Sequence, residues 1–143
     1  MKNYAPRRVN AQRLERFVSL AFQKVGVPLD DADLTAKILV DADLRGIDSH
    51  GVFNLHGTYI RGIQDGTINP TPGIQISLGS PTTASVDGDK GLGFVVSHRA
   101  MDECIRMARE YGTGWATVCN STHSGAGAYY VLMAARQGMI GIH

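Results

Sequence analysis

Apolar positions in the first third of the chain recur with a helical period. Leu14, Phe17, Val18, Ala21, Phe22 and Val25 fall at i, i+3, i+4, i+7, i+8 and i+11, one apolar stripe of an amphipathic helix. Gly26-Val27-Pro28 ends it. Asp30 then stands as an N-cap, with Asp33 placed as the acidic partner of a capping box. Leu34, Ile38, Leu39 and Ala42 give this second helix its buried face, and the pattern ends near Gly46. A third helix is expected from Asp48-Ser49, with Val52, Leu55, Tyr59 and Ile63 on one side and Gly66 as its stop.

Asn69-Pro70-Thr71-Pro72-Gly73 is a hinge, and beyond it the period changes. Ile74, Ile76 and Leu78 alternate as in a half-buried strand, and Thr83 to Val86 reads as a second strand. Asp87 to Gly93 reads as a turn. Phe94, Met101, Ile105 and Ala108 line a helix that ends near Gly112. Trp115–Cys119 is expected as a strand, Ala126–Gln137 as a helix closed by Gly138, and Met139–Ile142 as a further strand. Those last three elements would form a β-α-β unit, whose crossover joins parallel strands. The expected fold class is α/β. A helical subdomain over residues 1–68 precedes the first part of a mixed or parallel-sheet nucleotide-binding domain of non-Rossmann type over 69–143. A parallel pair needs neighbours and cover on both faces, so the chain reads as the front part of a larger protein.

Composition narrows the function classes. The chain has 143 residues, 43% of them hydrophobic and 19% charged, which excludes disorder and fibrous repeats. A net charge of +1 provides no bulk field for nucleic acid or an anionic membrane. No apolar run approaches a membrane span, and the basic opening MKNYAPRR leads into no signal-type apolar region. Cys104 and Cys119 have no metal or disulfide spacing and read as buried thiols in a reducing cytoplasm. Glycine is the outlier: 17 residues, against about 10 at average usage. Excess glycine points to tight turns and close backbone approach.

Three stretches could carry chemistry. Asp48-Ser49-His50-Gly51 serves equally as a polar helix cap or as a site. As a site, His50 in a first helical turn meets the positive end of the dipole and suits proton exchange with a carbonyl or hydroxyl oxygen, with Ser49 orienting it. Asn120-Ser121-Thr122-His123-Ser124-Gly125-Ala126-Gly127 lies between a strand's carboxyl end and a helix's amino end. It is either a capped turn or the edge where ligands of open α/β sheets collect. Asp87-Gly88-Asp89-Lys90-Gly91-Leu92-Gly93 fails the calcium-loop pattern and is not a dinucleotide fingerprint, since G-x-G-x-x-G is absent throughout. No G-x-S-x-G and no metal-type histidine spacing occur. His98 is expected to be exposed on its helix, and Arg106, Arg109 and Glu110 form a solvated face.

Taken in order, five segments resemble the malate/L-lactate dehydrogenase-like family, nicotinamide-dependent enzymes without the usual Rossmann fold. They are Arg45-Gly46-Ile47-Asp48-Ser49-His50-Gly51-Val52 with Tyr59; Gly66-Thr67-Ile68-Asn69-Pro70; Asp87 to Gly93; Asn120-Ser121-Thr122-His123 with Gly125; and Gly138-Met139-Ile140-Gly141-Ile142. The resemblance runs from about residue 10 to the end. It implies hydride transfer between NAD or NADP and a 2-oxo or 2-hydroxy acid or related imine. It implies Ser49, His50 and His123 as catalytic residues, and Asn54 and Asn120 as substrate contacts. It implies His123, Ser124, Gly125, Ala126 and Gly127 at the cofactor. It further implies a cytoplasmic homodimer with sites at the subunit interface, and no nucleic-acid or membrane partner. Three departures stand out. Asn54 replaces an Arg common in the family, Ser124 a common aromatic, and Gly127-Ala128 reverses the usual order. Family chains are more than twice as long, so these residues carry about half an active site, and the isolated chain is expected to turn over little or not at all. The rival expectation is a non-catalytic truncated module with a role in assembly or binding.

Overall fold

The computed structural model describes residues 8–143; the first seven residues of the basic opening lie outside them. Helix α1 (Ala11–Lys24) starts where Asn10 Oδ1 accepts from the Arg13 N–H at 3.0 Å. It lies on α2 (Leu29–Leu44) through the fully buried Val18 and Phe22. Phe17, one residue round the helix from Val18, falls off that contact and is 61% exposed, so it does not belong to the buried stripe. The capping expected of Asp30 and Asp33 is not made. The helix begins one residue after Pro28, whose fixed φ suits that boundary, and no side chain caps it. Asp30 sits inside the first turn, where it complements the dipole. Asp33 Oδ1 instead accepts from Ser19 Oγ at 2.5 Å and ties α2 to α1.

The expected third helix is broken into four pieces. Asp48–His50 and Val52–Asn54 are single 3₁₀ turns, Leu55–Ile60 is a π-helical turn, and only α3 (Arg61–Gln64) is α-helical. Its expected apolar face survives: Leu55, Tyr59 and Ile63 are buried.

The sheet has three strands in the order β1 (Gln75–Ser80), β2 (Thr83–Gly91), β3 (Trp115–Ser121). β1–β2 is an antiparallel hairpin, and β2–β3 is parallel, joined by α4 (Gly93–Tyr111). The β-α-β crossover therefore lies one strand earlier than the sequence pattern suggests. Met139–Ile142 follows α5 (Ala128–Ala135) but joins no strand, because no described strand lies beside it to accept its hydrogen bonds. Ile140 is accordingly 94% exposed. The helix before it is also two residues shorter at each end than expected. Asp87–Gly91 is not a free turn. The strand continues through it with an irregular register, taking Asp89 and Lys90 through positive φ. Ile76 and Leu78 share a face with Val86 and Ala84 by register, yet α4 packs over β2 and β3 and leaves β1 exposed. Cys119, on the edge strand, is exposed, not buried, and Cys104 is half-buried. His98 is half-buried, with its Nδ1 3.2 Å from Asp102 Oδ2.

One apolar core crosses the hinge. Val18, Phe22, Leu39 and Tyr59 belong to the same buried cluster as Leu92, Phe94, Ile105 and Tyr130. Among the described residues, no helix is long and apolar enough to cross a membrane.

Candidate active site at the seam of the two halves

The two stretches singled out in the sequence meet where the helical part rests on the sheet. The His50 and His123 rings lie 5.4 Å apart, centroid to centroid, tilted by 36°. Their convergence is imposed from beneath by close backbone packing. A Cβ on Gly93, the first residue of α4, would overlap the backbone of Thr122 and His123, so only glycine lets α4 carry the 122–123 segment this closely. The Thr122 hydroxyl secures the junction, donating to Gly91 O and accepting from the Gly93 N–H, both at 3.0 Å.

His50 closes a one-turn 3₁₀ helix instead of opening a long α-helix, so few aligned peptide units act on it and the dipole argument from sequence loses its basis. Ser49 Oγ lies 2.9 Å from His50 Nδ1, the pairing the sequence suggests. Asn54, on the next turn, donates from Nδ2 to Ser49 O at 2.6 Å, so its amide braces the turn that carries the pair. Asp43 also holds this turn and was not evident from sequence. Its Oδ2 accepts the Val52 N–H at 3.1 Å, and its carboxylate occupies the space where a Cβ on Gly51 would stand. Burial raises the Asp43 pKa, the Val52 N–H opposes that shift, and Asp48 adds to it.

His123 turns its Nδ1 inward. Tyr59 OH lies 2.9 Å from it and the Gly125 N–H donates to it at 3.2 Å. Part of the ring still meets solvent, but packing on the inner edge lowers its pKa, and the neighbouring His50 charge lowers it further. Burial pushes the Tyr59 hydroxyl up to about 12, so it stays protonated at neutral pH. Tyr59 reaches this place because the π turn presents it between Phe22 and Phe94, ring centroids 6.4 and 4.9 Å away. Short π segments of this kind recur at functional sites. The sequence placed Tyr59 on the third helix's apolar face and in the first family-like segment, and neither reading gave it a polar contact 64 residues away.

The turn after His123 is held by Tyr130, whose hydroxyl donates to Ser124 O at 2.5 Å. Among the described residues, the N–H groups of Ala126, Gly127 and Ala128 find no protein acceptor. They leave a small set of free donors at the amino end of α5. Asn120 does not join the pair. Its backbone takes a positive φ, and its amide donates to Asp87 Oδ1 at 3.0 Å. A groove of about 930 Å³ runs between α4, β3 and the 139–143 segment; Thr122 and Ser124 line it, but neither His50 nor His123 does. Among the described residues, no group of three or more His, Cys, Asp or Glu side chains is placed to hold a metal.

The family model described as malate/L-lactate dehydrogenase matches residues 9–143. Malate dehydrogenase of Pyrococcus horikoshii is 46% identical over 135 residues, which is 94% of this chain and 37% of that protein. L-sulfolactate dehydrogenase of Methanocaldococcus jannaschii is 46% identical over 120 residues, 84% of this chain and 35% of that protein. Among solved structures, that of the P. horikoshii malate dehydrogenase superposes with a TM-score of 0.90 at 43% identity, covering 96% of this chain and 40% of its own. The chain thus spans somewhat more than a third of the length of the relatives it matches. With the family pattern matched from residue 9 to the last residue, the chain belongs to the malate/L-lactate dehydrogenase family.

Proposed function

We propose that this chain is the amino-terminal portion of a nicotinamide-dependent oxidoreductase that moves a hydride between NAD(P)H and a 2-oxo or 2-hydroxy acid. The observation that carries the reading is the convergence of His50 and His123, separate in sequence, at a ring distance of 5.4 Å. The nicotinamide would supply the hydride; the protein supplies orientation, a proton and hydrogen bonds to the oxygen that gains charge. His50, with Nδ1 against Ser49 Oγ, is the group assigned to exchange that proton. His123, its ring 5.4 Å from that of His50, is assigned as the second hydrogen-bonding group.

The residues present fit one edge of such a cofactor. Ser124 to Gly127 offer a hydroxyl and the free N–H groups at the start of α5, donors suited to a carboxamide or a phosphate oxygen. Asn54 can give a substrate carboxylate only neutral hydrogen bonds, unlike the bidentate grip of an arginine. A loss of carboxylate affinity relative to arginine-bearing relatives follows from that. We place the protein in the cytoplasm, as a homodimer whose partner adds to the site. Asn120, turned to Asp87, is assigned to substrate only through a rearrangement of that amide.

The test uses the protein encoded by the whole reading frame that contains these residues. Oxidation of NADH and NADPH is followed over a panel of 2-oxo acids, oxaloacetate and sulfopyruvate included. Turnover is expected with members of the panel, and His50→Ala should reduce it about 10²–10⁴-fold with the fold intact. No oxidation of either cofactor across the panel, by folded protein, refutes the reading and favours a non-catalytic module.

A further inference from the structure

The hydrogen bonds beneath His123 decide which of its nitrogens carries the proton. A backbone N–H can only donate, so the Gly125 N–H at 3.2 Å requires Nδ1 to be an acceptor. Nδ1 then has no hydrogen to offer Tyr59, and the hydroxyl at 2.9 Å must donate as well. Tyr59 is free to do so and free to do little else. Its ring is 1% exposed, wedged between Phe22 and Phe94, and His123 Nδ1 is the side-chain partner its hydroxyl reaches. A neutral imidazole that accepts at one nitrogen carries its proton at the other.

We propose that Tyr59 is a positioning residue for His123: with the Gly125 N–H it occupies the Nδ1 lone pair, and so fixes Nε2–H as the donor presented to the substrate oxygen. The clause about substrate rests on the dehydrogenase reading above; the tautomer does not. Protonating Nδ1 would set its hydrogen against the hydrogen of the Gly125 N–H and oblige Tyr59 to turn its own proton away within a closed aromatic pocket. The arrangement therefore favours a neutral His123 that polarises an oxygen by donation, the task a neutral imidazole performs when its surroundings disfavour the cation. His50 and Tyr59 are the titratable side chains recorded against the ring, and neither supplies a negative charge that would favour the cation.

The experiment reads the imidazole directly, without turnover. In the 143-residue chain with ¹⁵N-labelled histidine, long-range ¹H–¹⁵N correlations distinguish a protonated from an unprotonated ring nitrogen for each of the five histidines, with His123 assigned from a His123→Asn variant. The expected result is Nδ1 unprotonated and Nε2 protonated in His123. Tyr59→Phe keeps the ring and removes the hydroxyl. It should raise the Nδ1–H fraction severalfold and move the His123 titration to higher pH, because the neutral form has lost a donor. A wild-type Nδ1–H tautomer overturns the proposal, as does a folded Tyr59→Phe chain with tautomer and titration unchanged. If Tyr59→Phe does not fold, a through-hydrogen-bond coupling between the Tyr59 hydroxyl proton and His123 Nδ1 in the wild type decides: its presence supports the proposal and its absence overturns it. Failure of the dehydrogenase reading would show in the NADH assay and leave these spectra untouched; a wrong tautomer would show here and leave that assay untouched.

Discussion

Gly51→Ala isolates the interaction that holds the Ser49–His50 turn. Gly51 has φ −92° and ψ −157°, extended backbone that alanine adopts freely, so any cost is steric and not conformational. The added methyl would overlap the Asp43 carboxylate, which must then move and release the Val52 N–H it holds at 3.1 Å. Overpacking of this kind costs about 1–3 kcal/mol. Loss of the carboxylate acceptor at the start of a turn costs about 0.5–2 kcal/mol more. The single substitution should thus destabilise the chain by about 1.5–5 kcal/mol. Asp43→Ala alone forfeits only the hydrogen bond, about 1 kcal/mol. Because the clash is entirely with atoms of the Asp43 side chain, Gly51→Ala should cost almost nothing once Asp43 is alanine. The double variant should therefore be about as stable as Asp43→Ala alone, with a coupling equal to the cost of Gly51→Ala, about 1.5–5 kcal/mol. Urea unfolding of the four chains at equal m-values measures it. Additive costs would show that Gly51 and Asp43 are not opposed in the folded chain, and the account of how this turn is built would fail.

Other perturbations separate other parts of the structure. Tyr130→Phe keeps the core packing but leaves Ser124 O without its partner, and should cost about 1–2 kcal/mol with faster amide exchange confined to the 124–128 turn, read by hydrogen exchange. Phe94→Ala empties a fully buried site beneath Tyr59 and should cost about 3–5 kcal/mol in the same urea assay. His123 and His143 both titrate below the ordinary histidine range because burial disfavours their charged forms. The unfolded chain then binds more protons, so their share of stability is present above about pH 6.5 and is lost as pH falls through that value toward their folded pKa. The urea midpoint should decline over that window, and His123→Asn should flatten the decline; an unchanged slope would contradict the assignment.

What the sequence makes legible follows the range of the interactions involved. α1, α2 and α4 are set by local periodicity with a glycine just past each carboxyl end, and they stand where the pattern puts them. Ser49 and His50 form a contact between neighbours and could be anticipated. The π turn could not, because an apolar spacing of three and four residues through Val52, Leu55, Tyr59 and Ile63 is compatible with α and π turns alike. Asp43 and Tyr59 were not assigned to the site for a related reason. One is one of five aspartates on α2 and the other is a core aromatic, and their polar contacts depend on packing across 9 and 64 residues. Met139–Ile142 reads as the closing strand of a β-α-β unit, but a short apolar run cannot supply the partner that a strand requires.

Tyr59 joins two properties that are often separable, stability and site geometry. Its ring belongs to the core cluster that bridges the hinge, and its hydroxyl belongs to the histidine pair. A residue held this way gives the site the rigidity of the core: moving the hydroxyl by an ångström would require Phe22, Phe94 or the π turn to move with it. Substitutions at Phe22 or Phe94 should therefore alter the state of His123 as well as stability, although neither phenylalanine can exchange a proton. Ser49 and Asn54 lie outside the buried cluster, on turns braced by their own hydrogen bonds, so changes there can reach His50 with little effect on global stability. The two histidines are thus supported differently, one by the core and one by a turn pinned to α2. Under the proposed function, that difference of support suits the two imidazoles to different tasks, hydrogen-bond donation by His123 and proton exchange by His50.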